Sequence, residues 1–134
     1  MSLETAIAGL RDALANLEDL ERMYDEPPEG LSDFPSAMVY SRSGELTGIS
    51  AGLSRNLHTL IVDIYESREV LPSAIHSAKR WPDRVMAALR ADETLDSAVS
   101  AVVWPVRYRS GPMAYGRATH YGVRFEVTVK VMGD

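Results

Sequence analysis

The sequence predicts an α+β fold in which helices cover one face of a sheet of about four mainly antiparallel strands. Three observations point there: an N-terminal run of apolar residues at helical spacing, two strand-like segments ahead of a proline-punctuated helical region, and two more behind it. A length of 134 residues suits one domain, residues 1–134, and 46% hydrophobic with 25% charged residues is the composition of a folded protein.

Leu3, Ile7, Leu10, Leu14 and Leu17 recur at spacings of four and three between charged residues, so residues 1–24 read as an amphipathic helix with Ser2 at its cap. The stripe falls short of the heptads a coiled coil needs, and its apolar side packs either on the chain's own sheet or on a partner helix. Residues 25–36, with three prolines among acidic residues, form an extended connector.

Residues 37–66 hold the first strand pair. A short strand over 37–42 precedes a long loop, 43–56, punctuated by Gly44, Gly48 and Gly52, in which Ile49 and Leu53 serve as apolar anchors. The loop lacks the Gly-Lys-Ser/Thr ending of a phosphate-binding loop. Residues 57–66 then run apolar on both faces at their middle, as a central strand does.

Residues 72–91 form a kinked helical region in which Pro82 enforces a break after Trp81. Residues 98–132 hold the second strand pair. Val102, Trp104, Val106 and Tyr108 share one face and Arg107 and Arg109 the other, and Pro105 places the strand at a sheet edge or on a bulge. A turn containing Gly111, Pro112 and Gly116 leads to the cleanest alternation in the chain, with Tyr121, Val123, Phe125, Val127, Val129 and Val131 inward.

The absence of cysteine removes disulfides, thiolate metal sites and cysteine nucleophiles. His58, His76 and His120 lack the spacing that puts two ligands on one face, and no metal or cofactor is expected. His58 and Asp63 are an odd number of positions apart in one strand and face opposite ways. Asp63, Glu66 and Glu69 read as a solvated strand end. No apolar run is long enough to span a membrane, and the N-terminus lacks the basic-then-apolar pattern of a secretory leader, so neither insertion nor secretion is expected.

Charge is divided along the chain. Residues 1–36 carry nine acids and two bases, a net of -7, whereas residues 98–132 carry five bases and one acid, a net of +4. The two halves attract within one subunit or between neighbouring subunits. Arg107, Arg109, Arg117, Arg124 and Lys130 interleave with Tyr108, Tyr115, His120 and Tyr121. Three uses stay open for them: solvated outer-face charge, salt bridges to another subunit, or transient contact with nucleic-acid phosphates.

The stretches FPSAMVYSRSG, NLHTLIVDIYESR, LPSAIHSAKRWPDRVMAALRADETLDSAV and RSGPMAYGRATHYGVRFEVTVKV, with His58-Thr59-Leu60 entering a central strand and Tyr121-Gly122-Val123 entering the last, resemble the tail terminator (tail-completion) proteins of long-tailed bacteriophages over roughly residues 34–132. The resemblance implies a non-enzymatic virion protein, assembled in the host cytoplasm, that forms a ring, commonly a hexamer, at the junction of tail and head. Such a ring ends polymerisation of the tail tube and presents a surface for the head. The implied partners are copies of itself, the tube protein and a head-completion or neck protein, with DNA passing transiently and no membrane. Arg107, Arg109, Tyr115, Arg117, Arg124, Ile49 and Leu53 are the expected subunit or tube contacts. A head-tail connector or a small ligand-binding α+β module are the alternatives.

Overall fold

The computed structural model describes residues 1–133. Its elements run α1 (Leu3–Leu14), β1 (Arg22–Tyr24), β2 (Ser36–Ser50), β3 (Leu53–Glu66), α2 (Leu71–Ala78), α3 (Trp81–Ala91), β4 (Ala101–Tyr115) and β5 (Ala118–Gly133). The strands form one mixed sheet in the order β1-β2-β3-β5-β4. The class is α+β as expected, with five strands instead of about four. The addition is β1, three residues that pair in parallel with the start of β2.

The helix at the N-terminus is correspondingly shorter than residues 1–24. Ser2 caps it, accepting from the Thr5 backbone N–H while Thr5 returns a bond to the Ser2 backbone. Ala6, Leu10 and Leu14 are its buried line, and Leu17 and Leu20 lie in the turns that follow and still pack on the core. Pro82 also acts differently from expectation. It lies in the first turn of α3, where its missing N–H costs nothing, so the break falls before Trp81 and not after it.

All three helices contribute to one core against one sheet face. Val39 of β2, Leu60, Val62 and Ile64 of β3, and Val123, Phe125, Val127, Val129 and Val131 of β5 meet Leu10, Leu14, Ala78, Trp81, Val85 and Leu89 there. The alternation of β5 sets its inward side, and β3 is central, between β2 and β5. The opposite, outer face carries a second, smaller cluster of Tyr24, Met38, Tyr65 and Met113, covered by Leu31 and Phe34 from the acidic connector, which lies across it as a strap.

The largest correction concerns residues 43–56. They are not a loop: β2 and β3 stay paired from Ser36↔Tyr65 out to Ser50↔Leu53, so the segment is the far half of one long hairpin. Ala51 and Gly52, with φ of 45° and 83°, form its two-residue tip, the positive-φ pair of a type I′ turn. The turn after β4 is likewise tighter than expected. Gly111 and Pro112 are within the strand, and the reversal is made at Gly116–Arg117, between the paired Tyr115 and Ala118.

Candidate functional site

Three features stand out at the molecular surface: an arm, a groove and an arginine pocket. The arm is the distal hairpin. Every residue from Ser41 to Leu53 is exposed, and Leu46, Ile49 and Leu53 are 78%, 47% and 52% exposed. Among the described residues, the outer edge of β2 has no further neighbour in the sheet beyond Tyr24↔Met38. The arm thus offers unpaired backbone groups and three large apolar side chains together.

The groove is at the opposite sheet edge, between α3 and β4. Met86 and Leu89 line one wall, Trp104, Pro105 and Tyr108 the other, over a volume of about 690 Å3. Pro105 lies on an edge strand where the register to β5 slips between Val103 and Arg107, as a residue without a ladder donor requires. Trp104 donates its Nε1–H to Glu93 at 2.7 Å. Tyr108 shares the face of Val102, as the alternation predicts, because it pairs with the inward Phe125; its ring lies against Phe125 and lines the groove, which leaves it 57% exposed.

The third feature is on the outer face of the sheet. Asp63 is buried at its centre and not at a solvated strand end. Arg124, directly across from it on β5, donates Nε to Oδ1 at 2.7 Å and an Nη to Oδ2 at 3.1 Å. Tyr40 donates to the same Oδ2 at 2.8 Å, and Tyr65 lies 3.4 Å from it. Burial, reinforced by this carboxylate, pushes the Tyr40 hydroxyl up to about 12 and that of Tyr65 higher. The hydrogen bond to Asp63 holds Arg124 further above its ordinary value. Beside this knot, Arg42, Arg107, Arg109, Arg124 and Glu126 line a pocket of about 170 Å3. Arg42 pairs with Glu126.

Glu66 is buried as well, against the solvated reading. It accepts from Trp81 Nε1 at 2.6 Å and lies 3.4 Å from Arg80. Glu69 is exposed. His58 faces the helix side, packed against Gly44, whose position a Cβ would fill at 2.8 Å from Nδ1.

The expected contact residues therefore separate. Ile49 and Leu53 are on the arm, and Arg107, Arg109 and Arg124 meet at the pocket. Arg117 is exposed at the β4–β5 turn. Tyr115 is half-buried and spends its hydroxyl on the Pro28 carbonyl, which ties the strap down. Arg42 and Glu126 were missed, although Arg42 alternates with Tyr40 and Glu126 with Arg124 as outward residues of a strand do. Among the described residues no acid of the N-terminal segment forms an ion pair with the basic hairpin, although the connector touches its turn through Pro28 and Glu29. Among the described residues, Asp19 pairs with Arg80 and Arg84, Asp25 with Arg11, and Asp33 with Arg22. The hydrogen bond from Arg84 lowers the Asp19 carboxyl below its ordinary value.

Among the described residues no cluster of three or more His, Asp or Glu is placed to hold a metal ion, and no helix is long and apolar enough to cross a membrane. No family model and no curated protein matches the chain.

Proposed function

We propose that the protein is an assembly subunit that joins head to tail into a closed ring, and that this ring is the tail terminator its sequence resembles, capping a phage tail tube and offering the head its docking surface. The observation that carries the proposal is the placement of two apolar surfaces at opposite ends of one sheet. The arm with Leu46, Ile49 and Leu53 extends from the β2–β3 side, and the α3–β4 groove opens at the β4 edge. Identical subunits that join one edge to the other make heterologous contacts, which close into a ring when the rotation permits.

The same arrangement gives each contact a polar component. The free edges of β2 and β4 supply backbone donors and acceptors for strand addition, and Leu46, Ile49 and Leu53 supply apolar area of which about half or more is exposed in the subunit. The function is mechanical: no bond is made or broken, and specificity comes from shape and edge register. A head-tail connector would use the same surfaces on a different neighbour.

A second proposal rests on the groove itself. Its volume of about 690 Å3 falls in the range of small-molecule sites, which is the size a ligand-binding module needs. Sedimentation of the purified protein from 1 to 100 micromolar, about the range over which such contacts form, separates the two. A ring subunit associates with concentration and loses that association when Leu46 and Leu53 become serine. A ligand-binding module stays monomeric and takes up an apolar fluorescent probe in the groove.

A further inference from the structure

Two arginines with no ion-pair partner among the described residues stand next to each other on the outer face. Arg107 and Arg109 alternate on β4 and are exposed, and among the described residues neither lies within ion-pair distance of a carboxylate. Across the strand pair, Arg107 faces Glu126 and Arg109 faces Arg124. Like charges directly opposite in a sheet repel. The carboxylates nearby do not relieve this, since Asp63 is taken by Arg124 and Glu126 by Arg42. Four guanidiniums against two carboxylates leave two positive charges uncompensated around one small pocket.

We propose that this pocket binds a phosphate-type oxyanion, with Arg107 and Arg109 presenting guanidinium donors from β4 and Arg42 and Arg124 closing over it from β2 and β5. A volume of about 170 Å3 suits one tetrahedral oxyanion. A dianion matches the uncompensated charge, and its several oxygens accept from donors arriving from different strands, where a single carboxylate is satisfied by one or two forks. The site is partly built in advance. Arg124 is fixed by Asp63, which Tyr40 holds in turn, so less side-chain freedom is lost when the anion arrives. Inorganic phosphate and a phosphate of a nucleic-acid backbone offer the same chemistry. The site stands on this geometry whether or not the chain closes a ring.

The test is thermal unfolding of the full chain in sodium phosphate against sodium chloride at matched ionic strength, together with phosphorus NMR linewidths of inorganic phosphate. Phosphate at ten times its dissociation constant should raise Tm by about 5 °C and broaden its own resonance. Arg107→Gln with Arg109→Gln should remove both effects, while Arg117→Gln, at the turn outside the pocket, retains them. No effect on the wild-type chain, or an equal effect on the double variant, overturns the proposal. A short DNA duplex that restores the narrow phosphate resonance by competition assigns the site to backbone phosphate, and one that does not assigns it to the free ion. A phosphate effect that vanishes when copies associate and returns on dilution gives the pocket to a carboxylate of a second copy, and overturns the proposal as well.

Discussion

Asymmetry in the ion pair at the sheet centre predicts an unequal cost for its two halves. Asp63 is 1% exposed, whereas the Arg124 side chain is 29% exposed, so each is left in a different environment when its partner is removed. In Arg124→Met a carboxylate remains out of water with two tyrosine hydroxyls for company, which places the variant in the middle of the range for broken buried pairs, about 4 kcal/mol. In Asp63→Asn the shape is kept, one oxygen still accepts, and the guanidinium reaches water, so the cost falls to about 2 kcal/mol. The double variant removes both charges and should cost no more than Arg124→Met alone, a coupling of about 2 kcal/mol. Urea unfolding of the four proteins, with m unchanged, measures each quantity. Additive single effects within about 0.5 kcal/mol, or a larger loss for Asp63→Asn than for Arg124→Met, would refute the reasoning.

The same knot governs alkaline behaviour. Tyr40 titrates from 10.0 up to about 12 on folding, so the unfolded chain releases its proton first; the stability is whole below pH 10 and is lost as pH rises through 12. Absorbance titration of tyrosinate with parallel unfolding checks this, and a flat stability profile between those limits contradicts it. Leu46→Ser with Leu53→Ser should abolish self-association by sedimentation while leaving Tm within about 2 °C, because both side chains are exposed in the subunit. Val127→Asp places a charge on the fully buried face of β5 and should leave no cooperative transition by circular dichroism; a normal melt would show that β5 faces the other way. Gly122→Ala brings a Cβ onto the Ile64 carbonyl in the neighbouring strand, a backbone atom that cannot swing aside, and should cost about 2–3 kcal/mol in urea unfolding.

Elements with one wet and one dry side were legible in the sequence. The alternation from Tyr121 to Val131 set the inward face of β5, and the leucine spacing located α1 because burial and helical period coincide there. The arm was not legible for the same physical reason. From Ser41 to Leu53 both faces meet water, so the side chains carry no period-two signal, and the hydrogen bonds that make the ribbon are between backbone groups. Its signal was the Ala51-Gly52 tip, which is weaker than Asn-Gly or Asp-Gly.

Partnership across the chain was the other blind spot. Asp63 and Glu66 looked like a solvated strand end because their partners, Arg124 and Trp81, are 61 and 15 residues away. Local spacing contains nothing of such contacts. The pairing of Arg107 with Arg109 on one face could be read from their i, i+2 spacing, whereas the convergence of Arg42 with them depends on strand order, which the sequence left open. Tyr115 and Arg117 were grouped with these arginines by nearness in sequence, and the turn at Gly116 carries both away from the pocket.

Electron microscopy of tail tubes polymerised with and without the protein tests the central claim most directly. Tubes of limited length, each ending in a ring of subunits that the Leu46→Ser, Leu53→Ser variant fails to form, are the predicted result. Bare tube ends and an unchanged length distribution, with the protein left free in solution at every concentration, would contradict it.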